Sequence, residues 1–365
     1  MKKRMIFLLL ALVLLLSIVS RIPFSNLVSA SPLIIRVPQD FSTIQEAINA
    51  ANRGDIVYVR NGTYFEHVIV DKSDLMLVGE DRDVTVIVGS GGDAVSLRAE
   101  NAEIRGFTLR EGDSGIQISP WTRGHIISDN IITNNDFGIR GHYDVQNITI
   151  GNNIIASNKF AGIELVFYNS IISNNTISNN GKGEFIELSA GIQIVEGVYN
   201  TTINSNNNMV VNNSIENNFN GVFSVRYSED NLFSHNTFEN NTNHVFISNS
   251  SYMSNSRVEE NHWSGYLGED VDGDGFGDTP YLMDAQNRDN HPLMSPFAYW
   301  INPIVGDVNR NMRVDIRDVA IAAKTFGAYL GHPRWSPNAD INNDDKVDIR
   351  DLALIAKNFG KEHVQ

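Results

Sequence analysis

A chain of 365 residues has room for two or three domains and ample material for a core. It contains no cysteine, which excludes disulfides and thiolate metal sites. A formal net charge of -15 argues against nucleic acid as a partner, because phosphate binding needs a basic surface.

Residues 1–30 follow the export pattern: a basic start at Lys2, Lys3 and Arg4, an apolar run from Met5 to Val19, and small residues at Val28-Ser29-Ala30. About fifteen apolar residues are short for a bilayer span. A cleaved signal peptide is therefore the expectation, with a mature start at Ser31, a secreted or cell-surface location, and membrane contact only through this segment. An uncleaved anchor is the alternative.

A short amphipathic helix is predicted over Ile44 to Asn52, with Ser42 or Thr43 as N-cap and Glu46 placed for a capping box. It forms a cap over about 42–53, lidding a solenoid whose end exposes apolar surface. Alternating strands follow from Gly54 to Val70, with a turn at Asn61-Gly62.

The chain then repeats one phrase at Asn130–Asn135 (NIITNN), Asn153–Asn158 (NIIASN), Asn175–Asn180 (NTISNN), Asn213–Asn218 (NSIENN) and Asn236–Asn241 (NTFENN). Steps of 22 or 23 residues, apart from one of 38, mark a repeat architecture. Three apolar columns align: Ile127, Ile150, Ile172, Val210, Phe233; Ile132, Ile155, Ile177, Ile215, Phe238; and Ile116, Ile139, Ile163, Ile192, Val222. A disordered Asn-rich tract would not keep them. The unit is one coil of a parallel β-helix over 31–265. The leading Asn of each phrase is expected to take the left-handed bend and to bond its neighbour one coil away.

The order FSTIQEAINAA…GDIVYVRNGTYFEHVIV resembles the opening of many secreted right-handed β-helix proteins, pectin methylesterases among them, over the cap and first coil. The methylesterase pattern of paired Asp, Gln and Arg is not found later, so that activity does not follow.

Outward beside the third column stand Gln117, Arg140, Glu164 and Gln193, and beyond them Trp121, Tyr143, Tyr168, Tyr199 and Tyr227. Coils stack about 4.8 Å apart, so these aromatics form either a ribbon suited to sugar rings or a stack that stiffens the solenoid. The candidate substrate-binding residues are Trp121, Arg140, His142, Tyr143, Asp144, Glu164 and Tyr168, with Glu184 and Glu187 from the insertion that makes the long step. A carboxylate pair there would serve hydrolysis, and Arg140 with Asp144 and Glu164 a lyase, but neither arrangement is specific and no catalytic residue is assigned. Sequons stand at Asn61, Asn147, Asn174, Asn200, Asn212, Asn240 and Asn249, and many coincide with the Asn columns, where the amide is committed to the turn.

The end of the solenoid, 266–294, holds Asp270, Asp272, Asp274 and Asp278 at positions 1, 3, 5 and 9 of a calcium loop, with Gly275 at position 6 and the Phe276 carbonyl at position 7. The stretch NHWSGYLGEDVDGDGFGDTPY…DNHPLM, with the Asn repeats, is similar to NosD-type periplasmic β-helix proteins from about Ile35 to Met294. That family name implies copper. The His and Met residues show no pair at ligand spacing, so copper ranks below calcium.

A Pro-rich connector over 295–304 leads to a second repeat with an offset of 33. Its calcium ligands are Asp307, Asn309, Asn311, Asp315 and Asp318, with the Arg313 carbonyl, and Asp340, Asn342, Asp344, Asp348 and Asp351, with the Lys346 carbonyl. This brings the expected calcium sites to about three. Helices are predicted over Val319 to Phe326 and Leu352 to Phe359, stopped by Gly327 and Gly360. The pair resembles a type I dockerin over 305–361, departing from it in Met312 and Asp345 at position 6, where Gly is usual. The resemblance implies a cohesin-like partner read by Ile316, Arg317, Ile349 and Arg350, in either of two orientations.

The fold class is thus mainly β, a right-handed parallel β-helix with an N-terminal capping helix and a small all-α dockerin. The expected function is a secreted calcium-binding protein that binds or processes polysaccharide, or a glycoprotein glycan, and joins a complex through its dockerin. If it is an enzyme, it is a polysaccharide lyase or glycoside hydrolase. The alternative is a non-catalytic surface or envelope protein. A copper-accessory role trails both.

Overall fold

The computed structural model of the protein describes residues 31–181, 189–194, 205–224, 229–247, 256–284, 287–297, 304–310 and 312–362. Glu184, Glu187, Tyr199, Tyr227, Asn200, Asn249 and Asn311 lie outside that set, as does the side chain of His142.

Short strands separated by sharp corners wind into a parallel solenoid with one strand per coil in each of three sheets. The first sheet has ten strands, from Ile34–Val37 to Arg257–Glu259; the second has nine, from Gly62–Phe65 to His262–Trp263; the third has eight, from Val68–Val70 to Asn243–Ile247. The registers stack like on like, Ile127 on Ile150, Ile132 on Ile155 and Ile139 on Ile163. All three apolar columns are buried, from Ile116 at 0 % exposed to Phe233 at 2 %. Full burial of each such side chain stabilises the fold by about 1.5–3 kcal/mol, and the repetition makes one continuous core.

The bends fall one residue earlier than the repeat pattern predicts. Asp129, Asn152, Asn174, Asn212 and His235 take φ of 56, 59, 58, 59 and 58°, while the Asn that follows each is absent from the left-handed region. The second corner repeats this at Asn134, Ser157, Asn179, Asn217 and Asn240. Each Asn-Asn doublet therefore divides two tasks: the first residue bends, the second turns into the stack. Asn153 shows the pattern, its Nδ2 donating to Asn175 Oδ1 (3.0 Å) and Ile127 O (2.9 Å) while its Oδ1 accepts from Asn130 N (3.0 Å). The sequons at Asn147, Asn174, Asn212 and Asn240 fall on the bending residue, which is exposed, and not on the committed amide.

The ladder also explains the glycine that precedes each inward residue of the third sheet. A Cβ on Gly138 would lie 2.3 Å from Gly162 O and 2.9 Å from Asn158 Nδ2. Gln193, expected outside, is 4 % exposed and so covered.

Helix α1 (Ile44–Ala50) lids the first coil, with Thr43 as N-cap and a complete capping box to Glu46; it stops short of Asn52. Glu66 adds a second anchor, accepting from Ile44 N and Gln45 N at 3.0 Å each. At the far end Phe238, Trp263 and Tyr281 stack with ring centroids 4.4 and 4.5 Å apart. The short antiparallel pair Tyr281–Leu282 and Arg288–Asp289 brings Asp289 onto the ladder's last rung, Asn261.

Helices α2 (Ile316–Thr325) and α3 (Ile349–Asn358) surround a small core of Val308, Val314, Ala322, Ala339, Val347 and Ile355. They begin earlier than the predicted Val319 and Leu352. Asp315 and Asp348 are N-caps, each closing a capping box with Asp318 or Asp351, which draws the intervening residues into the first turn. The stops at Gly327 and Gly360 are met, with φ of 77 and 82°. Among the described residues no helix is long and apolar enough to cross a membrane.

Candidate functional site

On the outer face of the third sheet, strands Phe137–Gln146 and Ala161–Tyr168 pair Arg140 with Glu164. Arg140 Nε lies 3.1 Å from Glu164 Oε1, and the guanidinium lies 4.0 Å from the centroid of the Phe137 ring. Phe137 packs on Phe160 at 5.2 Å, and Lys159 Nζ caps that second ring at 4.5 Å. Farther along, the register shifts between Gly141 and Val145, a bulge that re-aims side chains as bulges beside functional sites do. Tyr143 and Asp144 sit on it with φ of 47 and 57°.

Asp144 accepts from the Tyr168 hydroxyl and from Gln146 Nε2 (3.2 Å). Burial first, and then the bond to Asp144, push the Tyr168 phenol up to about 12. The ring of Trp121, a residue 70 % exposed, stands on a backbone whose amide N–H donates to Tyr143 O at 3.1 Å. The bulge therefore gathers Trp121, Tyr143, Asp144 and Tyr168, with the Arg140–Glu164 pair next along the strand. The arrangement presents an exposed ring beside fixed polar groups. Tyr168 holds its proton too tightly to act as a base near neutral pH, and Glu164 is held in an ion pair.

A polar groove that the sequence pattern does not reveal runs along the second corner, lined by Glu111, Asp113, Asn134, Asp136, Ser157 and Lys159. Lys159 Nζ spans it to Asp136 Oδ1 at 3.8 Å. Its signal in the sequence is only the residue between each ladder Asn and the third-sheet strand.

The predicted calcium loops share one backbone design. The position 1 carboxylate accepts the position 6 N–H in each: Asp270 from Gly275 (2.9 Å), Asp307 from Met312 (2.9 Å) and Asp340 from Asp345 (2.8 Å). Position 4 is left-handed at Gly273, Arg310 and Asn343, and position 6 at Gly275, Met312 and Asp345. Asp318 and Asp351 at position 12 are fully buried, each accepting from three backbone amides; Asp318 takes Val308, Asn309 and Asp315. The solenoid loop has no such acid, and Asp278 holds the Val271 amide instead (2.6 Å).

The donors fit a hard cation. Oxygens of Asp270, Asp272 and Asp274 lie within 4.8 Å of one another, and burial, then the neighbouring carboxylates, raise Asp270 above the usual range. In the last loop Asp344 Oδ1 is buried without a partner among the described residues, while Arg350 Nη2 reaches Asp344 Oδ2 (2.5 Å) and Asp348 Oδ2 (2.6 Å). Asp315 and Asp348 are held below the usual carboxylate range by the guanidiniums of Arg317 and Arg350. A soft or imidazole-rich copper set is a poor match for these residues: His244 and His262 are each turned onto a backbone carbonyl, of Ser264 (3.0 Å) and Leu293 (3.2 Å).

Ile316 and Ile349 are both 67 % exposed, and Arg317 and Arg350 stand beside them in the first turns of α2 and α3. The two halves are tied symmetrically by the bridges Arg313 to Glu362 and Tyr329 to Lys346, whose members are related by the loop offset.

Over 102 residues the chain is 32% identical to a cell surface glycoprotein of Methanothermus fervidus, covering 27% of this chain and 17% of that protein. A second match of 102 residues, at 36% identity, is to pectinesterase 2 of Citrus sinensis, covering 25% and 20%. The chain thus spans about a fifth of the length of these curated relatives. Among solved structures it is similar to a pectin methylesterase in complex with a hexasaccharide (10% identity, TM-score 0.40, 66% of this chain and 91% of that one). It is also similar to the A-module of a mannuronan C-5 epimerase from Azotobacter vinelandii (17%, 0.43, 60% and 82%). Residues 305–360 match the dockerin type I domain, and residues 48–268 match the periplasmic copper-binding protein (NosD) model. With that second match covering more than half of its length, the chain belongs to the NosD family, with a type I dockerin behind the family region.

Proposed function

We propose that this protein is an exported β-helix that binds polysaccharide, or the glycan of a glycoprotein, on the third-sheet face around Trp121, and that its dockerin couples it to a cohesin-like partner. The organisation is an export segment over 1–30, a β-helix over 31–265, a cation-loop end over 266–294, a connector over 295–304 and a dockerin over 305–361. The observation that carries this reading is the twin of exposed Ile-Arg pairs, Ile316-Arg317 and Ile349-Arg350, repeated by an internal symmetry within the dockerin match. Calcium would be held by the carboxylates of the three loops, where it would neutralise their mutual repulsion.

Binding is favoured over catalysis on the face itself, because Glu164 and Asp144 are each committed to Arg140 or Tyr168. The same pairing favours the second reading, a surface spacer whose dockerin does the attaching. The curated relatives, a cell surface glycoprotein and a pectinesterase, are compatible with an envelope or extracellular setting.

The test is retention of the full chain on immobilised polysaccharides and cohesin modules, with and without a chelator, while reducing ends and unsaturated uronates are followed. Calcium-dependent cohesin capture with glycan retention lost in Trp121→Ala is expected. Cohesin capture without any glycan retention leaves the spacer reading. No capture in either calcium state removes the dockerin function.

A further inference from the structure

The sequons are left unused by the proposed function, and the solenoid places them in one local frame. Asn147, Asn174, Asn212 and Asn240 each occupy a left-handed corner (φ 53, 58, 59 and 51°) with the side chain exposed. The middle residue of each sequon is the buried one: Ile148 (1%), Asn175 (2%), Asn213 (2%) and Asn241 (9%). The third residue is half-buried at Thr149, Thr176 and Ser214 and exposed at Thr242. Neither the corner carboxamides nor these hydroxyls make a side-chain hydrogen bond among the described residues. The ladder amides differ in kind, since Asn175 and Asn213 spend both polar atoms on neighbouring coils.

We infer that these corner asparagines are N-glycosylation sites, modified by an oligosaccharyltransferase that reads Asn-x-Ser/Thr. The inference rests on the proposed export of the chain. In the transfer the carboxamide nitrogen forms a bond to the sugar C1, and the C1–O bond to a lipid-linked phosphate breaks. The phosphate leaves with the electron pair, and the amide proton passes to a base of the transferase.

The register adds a constraint between two of the sites. Ser173 pairs with Val211 and Thr176 with Ser214, so Asn174 lies directly over Asn212 one coil away. Coils are roughly 4.8 Å apart, too close for two branched glycans to leave side by side. Asn174 and Asn212 therefore compete, and one molecule carries a glycan at one or the other. Asn147 and Asn240 lie on other corners and fill independently.

The experiment is site-resolved glycopeptide mass spectrometry on the exported full chain, from a host whose transferase acts on this sequon. Sugar is expected at Asn147 and Asn240, and at Asn174 and Asn212 with summed occupancy near one. Thr176→Val and Ser214→Ala remove one acceptor each without touching a corner or the ladder, and circular dichroism checks the fold. Thr176→Val should raise occupancy at Asn212 towards the wild-type sum, and Ser214→Ala should do the same for Asn174. Exported protein with bare asparagines at all these corners overturns the inference while leaving export intact. Bare protein retained in the cell with residues 1–30 attached overturns both, and an unchanged Asn212 occupancy in Thr176→Val removes the competition.

Discussion

Asp289→Asn isolates the chemistry that ends the asparagine ladder, because the exchange keeps shape and removes only charge and acceptor capacity. Asp289 is fully buried. Its Oδ2 accepts from Asn261 N (2.9 Å), Trp263 Nε1 (3.0 Å) and, more weakly, Asn261 Nδ2 (3.4 Å); its Oδ1 accepts from Glu260 N and His291 N at 3.1 Å each. Every interior rung both donates and accepts, but the last one meets only donors. An asparagine must place its NH2 on one side or the other, and either choice leaves at least two N–H groups facing a donor. At about 1.5–3 kcal/mol per hydrogen bond to a charged group, the gross loss is about 3–6 kcal/mol. Relief from burying the carboxylate returns part of it, for a net loss of about 2–4 kcal/mol. In a solenoid each coil touches only its neighbours, so the loss stays local. Hydrogen exchange followed by mass spectrometry should show peptides over 257–264 exchanging about 30- to 700-fold faster, at 1.4 kcal/mol per tenfold, with peptides over 103–135 unchanged. Unaltered exchange over 257–264, or equal loosening of every coil, would refute the assignment of Asp289 as the ladder's terminator.

His125 is buried, accepts from Ala102 N at 3.2 Å, and is pushed by burial from 6.5 to about 4. Above pH 6.5 it is neutral folded or unfolded; between there and about 4 only the unfolded chain gains the proton, so acid removes up to about 3 kcal/mol. His125→Ser, copying Ser170, whose hydroxyl accepts from Ile148 N at 3.0 Å at the equivalent corner two coils on, should flatten the acid limb of a midpoint-against-pH plot, and an unchanged slope would count against it. Gly138→Ala must push its Cβ away from Gly162 O, which it would meet at 2.3 Å, and a loss of about 2–3 kcal/mol in urea unfolding is expected; wild-type stability would show that the coils can part freely. Met312 holds φ 68° at position 6 of the first dockerin loop. Relieving about 1 kcal/mol of left-handed strain, Met312→Gly should tighten calcium at that loop roughly fivefold by calorimetry, and equal or weaker binding would reject strain as the cause.

The apolar columns were legible because burial imposes a period that no polar requirement disturbs, and Ile127, Ile132 and Ile116 each lie in one. The roles within the doublets were not, because Asn134 and Asn135 are chemically identical and only the backbone tells the bend from the rung. Asp289 was illegible for a different reason: its partners Asn261 and Trp263 come from the last coil, across a stretch with no periodic pattern. In the dockerin, Asp315 and Asp318 were legible as acids at loop positions 9 and 12, but their role as N-cap and capping-box partner, which moves the helix start and places Ile316 and Arg317 on a first turn, was not. The site on the third sheet was legible as residue types only. That Tyr168 closes on Asp144, and Arg140 on Glu164 and Phe137, depends on the register and the bulge.

On the proposed reading, the two dockerin loops, near copies in sequence, would take up a cation against different obstacles. The first carries left-handed strain at Met312; the second seats its position 6 on Asp345, whose side chain tolerates that region better, but lets Arg350 occupy Asp344 and Asp348. A cation entering the second loop must draw Asp344 away from Arg350, and a freed Arg350 stands beside the exposed Ile349. On the proposed reading, cation binding and the Ile349-Arg350 pair would thus be linked through one guanidinium in the second half. In both halves the arginine also bonds the N-cap of its own helix, Arg317 to Asp315 at 2.9 Å and Arg350 to Asp348 at 2.6 Å. On the proposed reading, two docking orientations would present these two Ile-Arg pairs in turn, and only the second pair is tied through Asp344 to the loop beneath it among the described residues.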